Sequence, residues 1–331
     1  MIAESAVTRG ATVVTFRRGL TGNDAPGTVS IRGDRSNPDD LRRLAEAGPF
    51  DAVIDTSSYV PRETLALARI LEPVADKYVL VSTVSVYEDW PIKPLSESSP
   101  VLPCPADAGP DYGYDGDPGP STYGFGKAGC ERAVLETFGA RRSVILRPGV
   151  ILGPREYVGR VEWWLRRMQR GGRILAPGSP SRSIQPVDVR DVSGFALHAA
   201  NDLSGIFDIV AAGRDTMGDL LDACHTTTGK NGRLEWITDE KWLAGQGVAQ
   251  WTELPLWRTY KGAWSVDGSR ARAAGLTCRP LRETVLDTWS WLERGGTAID
   301  HERAGELGIS PSKEAALLGM WYASQSDRCG A

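Results

Sequence analysis

The first half of the sequence alternates short apolar runs with helical patterns, and that alternation restricts the fold more than any other feature. Residues 12–17 (TVVTFR), 28–32 (TVSIR), 50–55 (FDAVID), 77–82 (KYVLVS) and 143–146 (SVIL) read as strands. Residues 39–47, 62–76 and 123–139 read as helices between them, with Pro61 at a first helical position. Such strands carry apolar side chains towards both faces, and each face needs cover. Joined through helices, they imply a parallel sheet with helices packed above and below.

The second half has a different texture. Residues 161–170 and 189–202 read as helices, 205–210 as a strand, and helical patterns dominate beyond. Ten of the eleven tryptophans lie after residue 160, so a smaller, aromatic-rich C-terminal lobe is expected. Trp163, Trp164, Trp251, Trp257 and Trp264 suit core packing or an aromatic pocket. Residues 99–121 (SPVLPCPADAGPDYGYDGDPGPS) are too rich in Pro, Gly and Asp for a regular element. They read as a mobile flap leading into the helix at Tyr123.

Charge and cysteine usage exclude several classes. With 38 basic and 42 acidic side chains the net charge is −4, which opposes a nucleic-acid partner. There is no apolar run of membrane-spanning length and no signal-peptide layout at the start, so a cytoplasmic protein without a membrane partner is expected. The five scattered cysteines, including Cys329, read as free thiols. His198, His225 and His301 stand far apart, and no metal site is expected.

The chemistry-bearing stretch is STYGFGK at 121–127. Tyr123 and Lys127 are four residues apart on a helical pattern, so phenol and ammonium share one face. A neighbouring positive charge lowers a phenol's pKa and fits it for proton transfer. Alone, the spacing also fits a solvated helix surface. Its companion is LVSTVSVY at 80–87, which puts Ser82 and Thr83 at the carboxyl end of an apolar strand, where open α/β sheets bind ligands.

These two stretches, with LRPGVILGP at 146–154 and QPVDVRD at 185–191, resemble the extended short-chain dehydrogenases/reductases, within them the NAD-dependent epimerase/dehydratase group. The resemblance runs from residue 1 to about residue 295. It implies a doubly wound, Rossmann-type sheet with a mostly helical substrate lobe. The nucleotide-binding domain would span residues 1–153 and 184–214, and the lobe 154–183 and 215–331. Thr83, Tyr123 and Lys127 take the catalytic positions. Arg17, Arg18, Asp34, Arg35, Thr56, Lys127 and Pro148 take cofactor positions. Ser82, Ser85, Arg155 and Gln185 take positions facing a small-molecule substrate, and Arg155 opens an arginine-rich run to Arg173 suited to an anionic group. A homodimer is compatible with this picture. The group's dehydratases carry Asp-Glu directly after the Thr; Val84 and Ser85 stand there instead, which disfavours water elimination.

Family members begin with an apolar strand and a G-x-x-G-x-x-G turn that meets the cofactor pyrophosphate. This sequence opens instead on what resembles the later part of the first helix, residues 1–9 with Gly10 as its stop, so about two dozen family residues have no counterpart. A start further upstream, a sheet that closes or borrows a strand, and a pocket that has lost nucleotide binding are the three accounts. Arg17 and Arg18 at the end of the second family strand suit a 2′-phosphate, so NADP is expected ahead of NAD, though a solvated basic turn would read the same.

The expected function is an NAD(P)-dependent oxidoreductase or epimerase acting on a hydroxyl or ketone carbon of a sugar-nucleotide-like or secondary-metabolite substrate. The alternatives are a cofactor-independent cyclase, lyase or isomerase using the same pocket, and a non-enzymatic RNA-binding relative.

Overall fold

The computed structural model describes residues 1–20, 22–296 and 307–329, with side chains up to residue 325; His301 and the Cys329 side chain lie outside it. In chain order come α1 (Ile2–Thr8), β1 (Val14–Arg17), β2 (Val29–Arg32), α2 (Pro38–Glu46), β3 (Val53–Asp55), α3 (Pro61–Leu71) and β4 (Tyr78–Val81). Next are α4 (Thr122–Arg142), β5 (Ser143–Pro148), β6 (Ile151–Leu152), α5 (Arg160–Gln169), β7 (Gly172–Pro177) and β8 (Val187–Asp188). The chain continues with α6 (Val189–Asp202), β9 (Gly205–Ile209), α7 (Met217–Thr227), β10 (Gly232–Ile237) and α8 (Glu240–Gly245). It ends in α9 (Ser269–Ala273), α10 (Leu281–Glu293) and α11 (Pro311–Cys329).

These elements form two compact units. The first comprises residues 1–150, 189–212 and 260–278; the second comprises 151–188, 213–259 and 279–331. Residues 260–278, expected in the C-terminal lobe, belong to the first unit because they hydrogen-bond back onto it. Leu95 N donates to Ser265 O at 2.9 Å, and Asp267 N to Leu95 O at 2.9 Å.

In the first unit β3, β4, β5 and β9 form a parallel sheet in that order. Tyr78 and Leu80 of β4 point into a cluster built with Leu41, Leu67, Leu71, Val134 and Phe138 from α2, α3 and α4. Val79 and Val144 alternate to the other side and are just as buried, with α6 packed along β3, β4 and β5. Burial on both faces is what the unbroken apolar runs require. Helix starts follow local chemistry: Asn37 caps α2 by accepting from Asp39 N, and Ser121 caps α4 by accepting from Gly124 N.

β1 and β2 form a separate parallel pair. Val14 and Phe16 of β1 and Val53 of β3 nevertheless pack against one core. Among the described strands, β1 pairs only with β2, and β3 only with β4. Val29 N donates to Val13 O and Gly33 N to Arg17 O. The odd-numbered residues of β1 therefore face β2, and the backbone of Val14 and Phe16 faces away. By the same alternation Val53 faces β4, its N donating to Lys77 O, while Ile54 faces away.

The second unit is less helical than its sequence suggests. β7 and β10 form a six-residue parallel pair from Gly172↔Gly232 to Pro177↔Ile237. Both strands open on glycine and arginine and are short, so periodicity alone did not reveal them. Trp164, Leu165 and Met168 of α5 are fully buried in this unit. Arg167 and Glu314, Nε to Oε2 at 2.8 Å, tie α5 to α11. No helix among the described residues is long and apolar enough to cross a membrane.

Candidate active site

The centre of the first unit's sheet ends at Val81, and the chain turns there into a short 3-10 segment, Val84–Val86. Thr83 caps that segment, its Oγ1 accepting from Ser85 N at 3.2 Å and donating to Ser85 Oγ at 3.3 Å. The turn faces the start of α4, and two glycines allow the approach. A Cβ on Gly124 would sit 2.3 Å from Ser85 O, and one on Gly126 would sit 2.7 Å from Tyr59 O. The glycines of YGFGK thus let the helix rest directly on the loops that follow β3 and β4.

Tyr123, Lys127 and Glu131 form one stripe along α4, and each meets a different environment. Tyr123 is 46% exposed, with its ring 6.3 Å from that of Tyr59. Lys127 is 2% exposed, and its Nζ donates to Ser58 O at 2.9 Å and Val81 O at 2.6 Å. The ammonium also lies 5.4 Å from the Tyr59 ring centroid. Burial lowers the Lys127 pKa, against the opposing pull of Cys130, Asp55 and Glu131. The carbonyl partners hold the ammonium in place beside Tyr123 on the helix.

Beneath Lys127 lies Asp55, 5% exposed, accepting from Arg35, Ser57 N, Ser58 Oγ and Tyr78 OH. Burial alone would raise its pKa, but Arg35 and the hydrogen bonds hold it at about 2. Glu131 ends the stripe, accepting from Ser82 Oγ at 2.5 Å and from Arg147 at 2.9 and 2.5 Å. Arg147 stacks 4.8 Å over the Tyr87 ring, and Tyr87 OH donates to Asp208.

The structure brings Thr83, Ser85, Tyr123 and Lys127 to one place. Ser82, expected against substrate, is turned into the core, where its hydroxyl is engaged by Glu131. Arg17 donates to Asp24 and to Gly22 O rather than standing open beside Arg18. Asp34 closes a turn by accepting from Ser36 N and Oγ. Arg35 is drawn to Asp55 and Ser57 O. Thr56 is exposed directly after β3, and Pro148 ends β5.

Arg155 and Gln185 belong to the second unit. Arg155 is exposed with φ at 68°, and Gln185 is buried. Trp164 and Trp257 are core residues there, while Arg160 and Arg258 lie 4.9 and 4.6 Å over the ring of Trp251. Of the expected arginine run, Arg167 serves the α5–α11 tie. No group of three or more candidate metal ligands occurs among the described residues.

Sequence reasoning missed Asp55, Tyr59 and Glu131; Arg147, expected with Pro148 and Gly149 in the stretch that passes the nicotinamide, is instead engaged by Glu131. Glu131 had a usable signal: it continues the four-residue spacing from Tyr123 and Lys127.

No family model matches the chain, and no curated protein matches it in sequence. Solved structures do resemble it. WbmG of Bordetella bronchiseptica, in complex with NAD and UDP, matches at TM-score 0.64 and 14% identity, over 88% of this chain and 89% of that one. UDP-glucose 4-epimerase of Thermotoga maritima with UDP-glucose matches at TM-score 0.64 and 17% identity, over 89% and 94%. The UDP-Glc/GlcNAc 4-epimerase of Campylobacter jejuni matches at TM-score 0.64 and 13% identity, over 88% and 95%. At these identities the likeness is one of architecture: the chain shares the Rossmann-type α/β fold of these structures.

Proposed function

We propose that the chain is an enzyme of the short-chain dehydrogenase/reductase type that oxidises, reduces or epimerises a hydroxyl-bearing carbon of a sugar-nucleotide-like substrate. The observation that carries this reading is the stripe of Tyr123 and Lys127 on α4, seated by Gly124 and Gly126 against the Thr83 turn and the Ser58 loop. Thr83 orients the substrate oxygen, Tyr123 gives or takes its proton, and Lys127 holds positive charge beside the phenol. Val84 is buried and apolar, so no extra acid follows Thr83 for eliminating water.

The cofactor would be a nicotinamide dinucleotide, which supplies hydride transfer when bound. Lys127 has a third N–H to offer a ribose hydroxyl, beyond those given to the two carbonyls. Arg18, Asp34 and Thr56 are the candidates for the adenine end, and Pro148 for the nicotinamide end. With Arg17 drawn to Asp24, NAD becomes the better candidate than NADP, in line with the NAD in the WbmG structure. The pyrophosphate fits less well. A G-x-x-G-x-x-G spacing occurs at residues 113–119, but it lies in the loop before α4, where Asp115 already accepts from Thr122 N. That misfit, with Arg35 tied to Asp55, supports a second reading in which the pocket acts without a dinucleotide.

The deciding experiment follows UDP-glucose and UDP-N-acetylglucosamine by NMR with NAD supplied, comparing wild type with Tyr123→Phe. Turnover should fall by about 10²–10⁴-fold in the variant with an unchanged melting temperature. Conversion by the variant at the wild-type rate removes Tyr123 from the chemistry. Conversion without any dinucleotide bound, tested by calorimetry, moves the second reading to first place.

A further inference from the structure

A cavity in the first unit, of about 610 Å³, lies among Glu88, Asp89, Leu102, Tyr112, Tyr114 and Phe125. That is the volume of a small-ligand site. Phe125 is two residues past Tyr123 on α4, which turns it to the opposite side of the helix from the Tyr123–Lys127 stripe. It is buried, and residues 112–114 are laid across it. Gly113, at φ 104°, presses so closely that a Cβ would sit 2.4 Å from the Phe125 ring. The two tyrosines splay to either side, their centroids 6.1 Å (Tyr112) and 5.1 Å (Tyr114) from that of Phe125. Both remain open to solvent, Tyr114 at 61% and Tyr112 at 39%. Three aromatic rings are thus held around one space by a backbone conformation that only glycine accepts easily.

The charged side chains that line the cavity are both acidic. The loop that supplies Tyr112 and Tyr114 carries Asp111, Asp115 and Asp117 and no Lys or Arg. Glu88 and Asp89 are the two carboxylates at the wall; Asp89 also meets the exposed Lys93 at 2.9 Å. Aromatic faces with carboxylates beside them attract a cation and repel an anion. We infer that this cavity binds a small organic cation, an alkylammonium group seated against Tyr112, Tyr114 and Phe125 with Glu88 as counter-charge. The inference does not depend on the reaction assigned to Tyr123.

Choline and its neutral isostere 3,3-dimethylbutan-1-ol share a shape and differ in charge, so they separate cation recognition from simple apolar filling. Titrations at low salt, by calorimetry or ligand-observed NMR, should give saturable choline binding, with the isostere at least about tenfold weaker. Tyr114→Ala and Glu88→Gln change exposed side chains and should each weaken choline binding about three- to tenfold without moving the melting temperature. Equal affinity for the two probes would overturn the inference, as would wild-type choline binding in both variants. Failure of choline to saturate would overturn it too.

Discussion

Arg147 grips both carboxylate oxygens of Glu131, Nε to Oε1 at 2.9 Å and Nη2 to Oε2 at 2.5 Å, with both side chains nearly inaccessible. Burial works against the Arg147 charge, but Glu131 more than restores it and raises the Arg147 pKa. The pair ties α4 to β5, and through Ser82 it fixes the residue just before Thr83. A glutamine at position 131 keeps the bond from Ser82 but leaves a buried guanidinium without its counter-charge. Glu131→Gln should therefore cost about 3–5 kcal/mol in urea unfolding, and adding Arg147→Met should recover a good part of that loss. An additive double variant would mean that the pair is not coupled.

Gly126 and Gly319 predict opposite signs for the same substitution. Both are helical, and alanine is intrinsically favoured over glycine in a helix by about 1 kcal/mol. At Gly319 a Cβ meets nothing within 4 Å, so Gly319→Ala should raise stability by roughly 0.5–1 kcal/mol. At Gly126 it meets the Tyr59 carbonyl at 2.7 Å, and backbone has no rotamer with which to yield. Gly126→Ala should lower the melting temperature and, by pushing the Ser58–Tyr59 loop from Lys127, reduce turnover as well. A stabilised Gly126→Ala variant would show that α4 does not rest on that loop.

Why these relationships escaped the sequence follows from what holds them. The strands of the first unit were legible because burial on both faces leaves unbroken apolar runs, as in Tyr78–Val81. The Tyr123–Lys127 stripe was legible because helical spacing is local. Arg147–Glu131 joins residues 16 apart through tertiary packing, and Arg35–Asp55 joins residues 20 apart. Nothing local marks either pair, and the second redirects an arginine from the cofactor position expected of it. β7 and β10 escaped for a related reason: each is short, and they pair across 60 residues of chain, from Gly172 to Gly232. The long loop was legible only in part. Leu102, Cys104 and Ala108 pack into a core cluster with Phe125, so its first half is pinned rather than flap-like. Only residues 110–118 form a continuously exposed stretch.

The divided sheet makes a prediction about amide exchange. Alternation in β1 directs Val14 and Phe16 away from β2, and in β3 it directs Ile54 away from β4, where no described strand meets them. Their N–H groups should exchange far faster than those of Thr15, Arg17, Val53 and Asp55, which face ladder partners. Hydrogen-exchange NMR on the 331-residue chain reads this directly. Equal protection on both edges would mean that another backbone pairs with β1 and β3 in solution.

The last prediction concerns Asp208, a carboxyl with no exposed surface at the end of the Arg147–Tyr87 chain. It accepts from Tyr87 OH at 2.8 Å, and its own N–H donates to Glu97 at 3.1 Å. Burial dominates its titration, with Glu97 and Glu131 adding like charge, while Tyr87 and Arg147 oppose them; the outcome is a pKa pushed up to about 7. Tyr87 itself is raised by burial and stays a donor throughout. The folded chain therefore holds a proton on Asp208 that the unfolded chain has released from about pH 4 upward. The resulting stability is complete below the unfolded carboxyl range and is lost as the pH rises through about 7. Asparagine cannot ionise, yet it offers Tyr87 the same acceptor. Asp208→Asn should match wild type near about pH 4 and exceed it by about 2–4 kcal/mol near about pH 8, flattening the decline between them. Urea unfolding at a series of pH values measures it. A variant less stable than wild type near about pH 8 would mean that Asp208 is ionised in the fold and paired with Arg147.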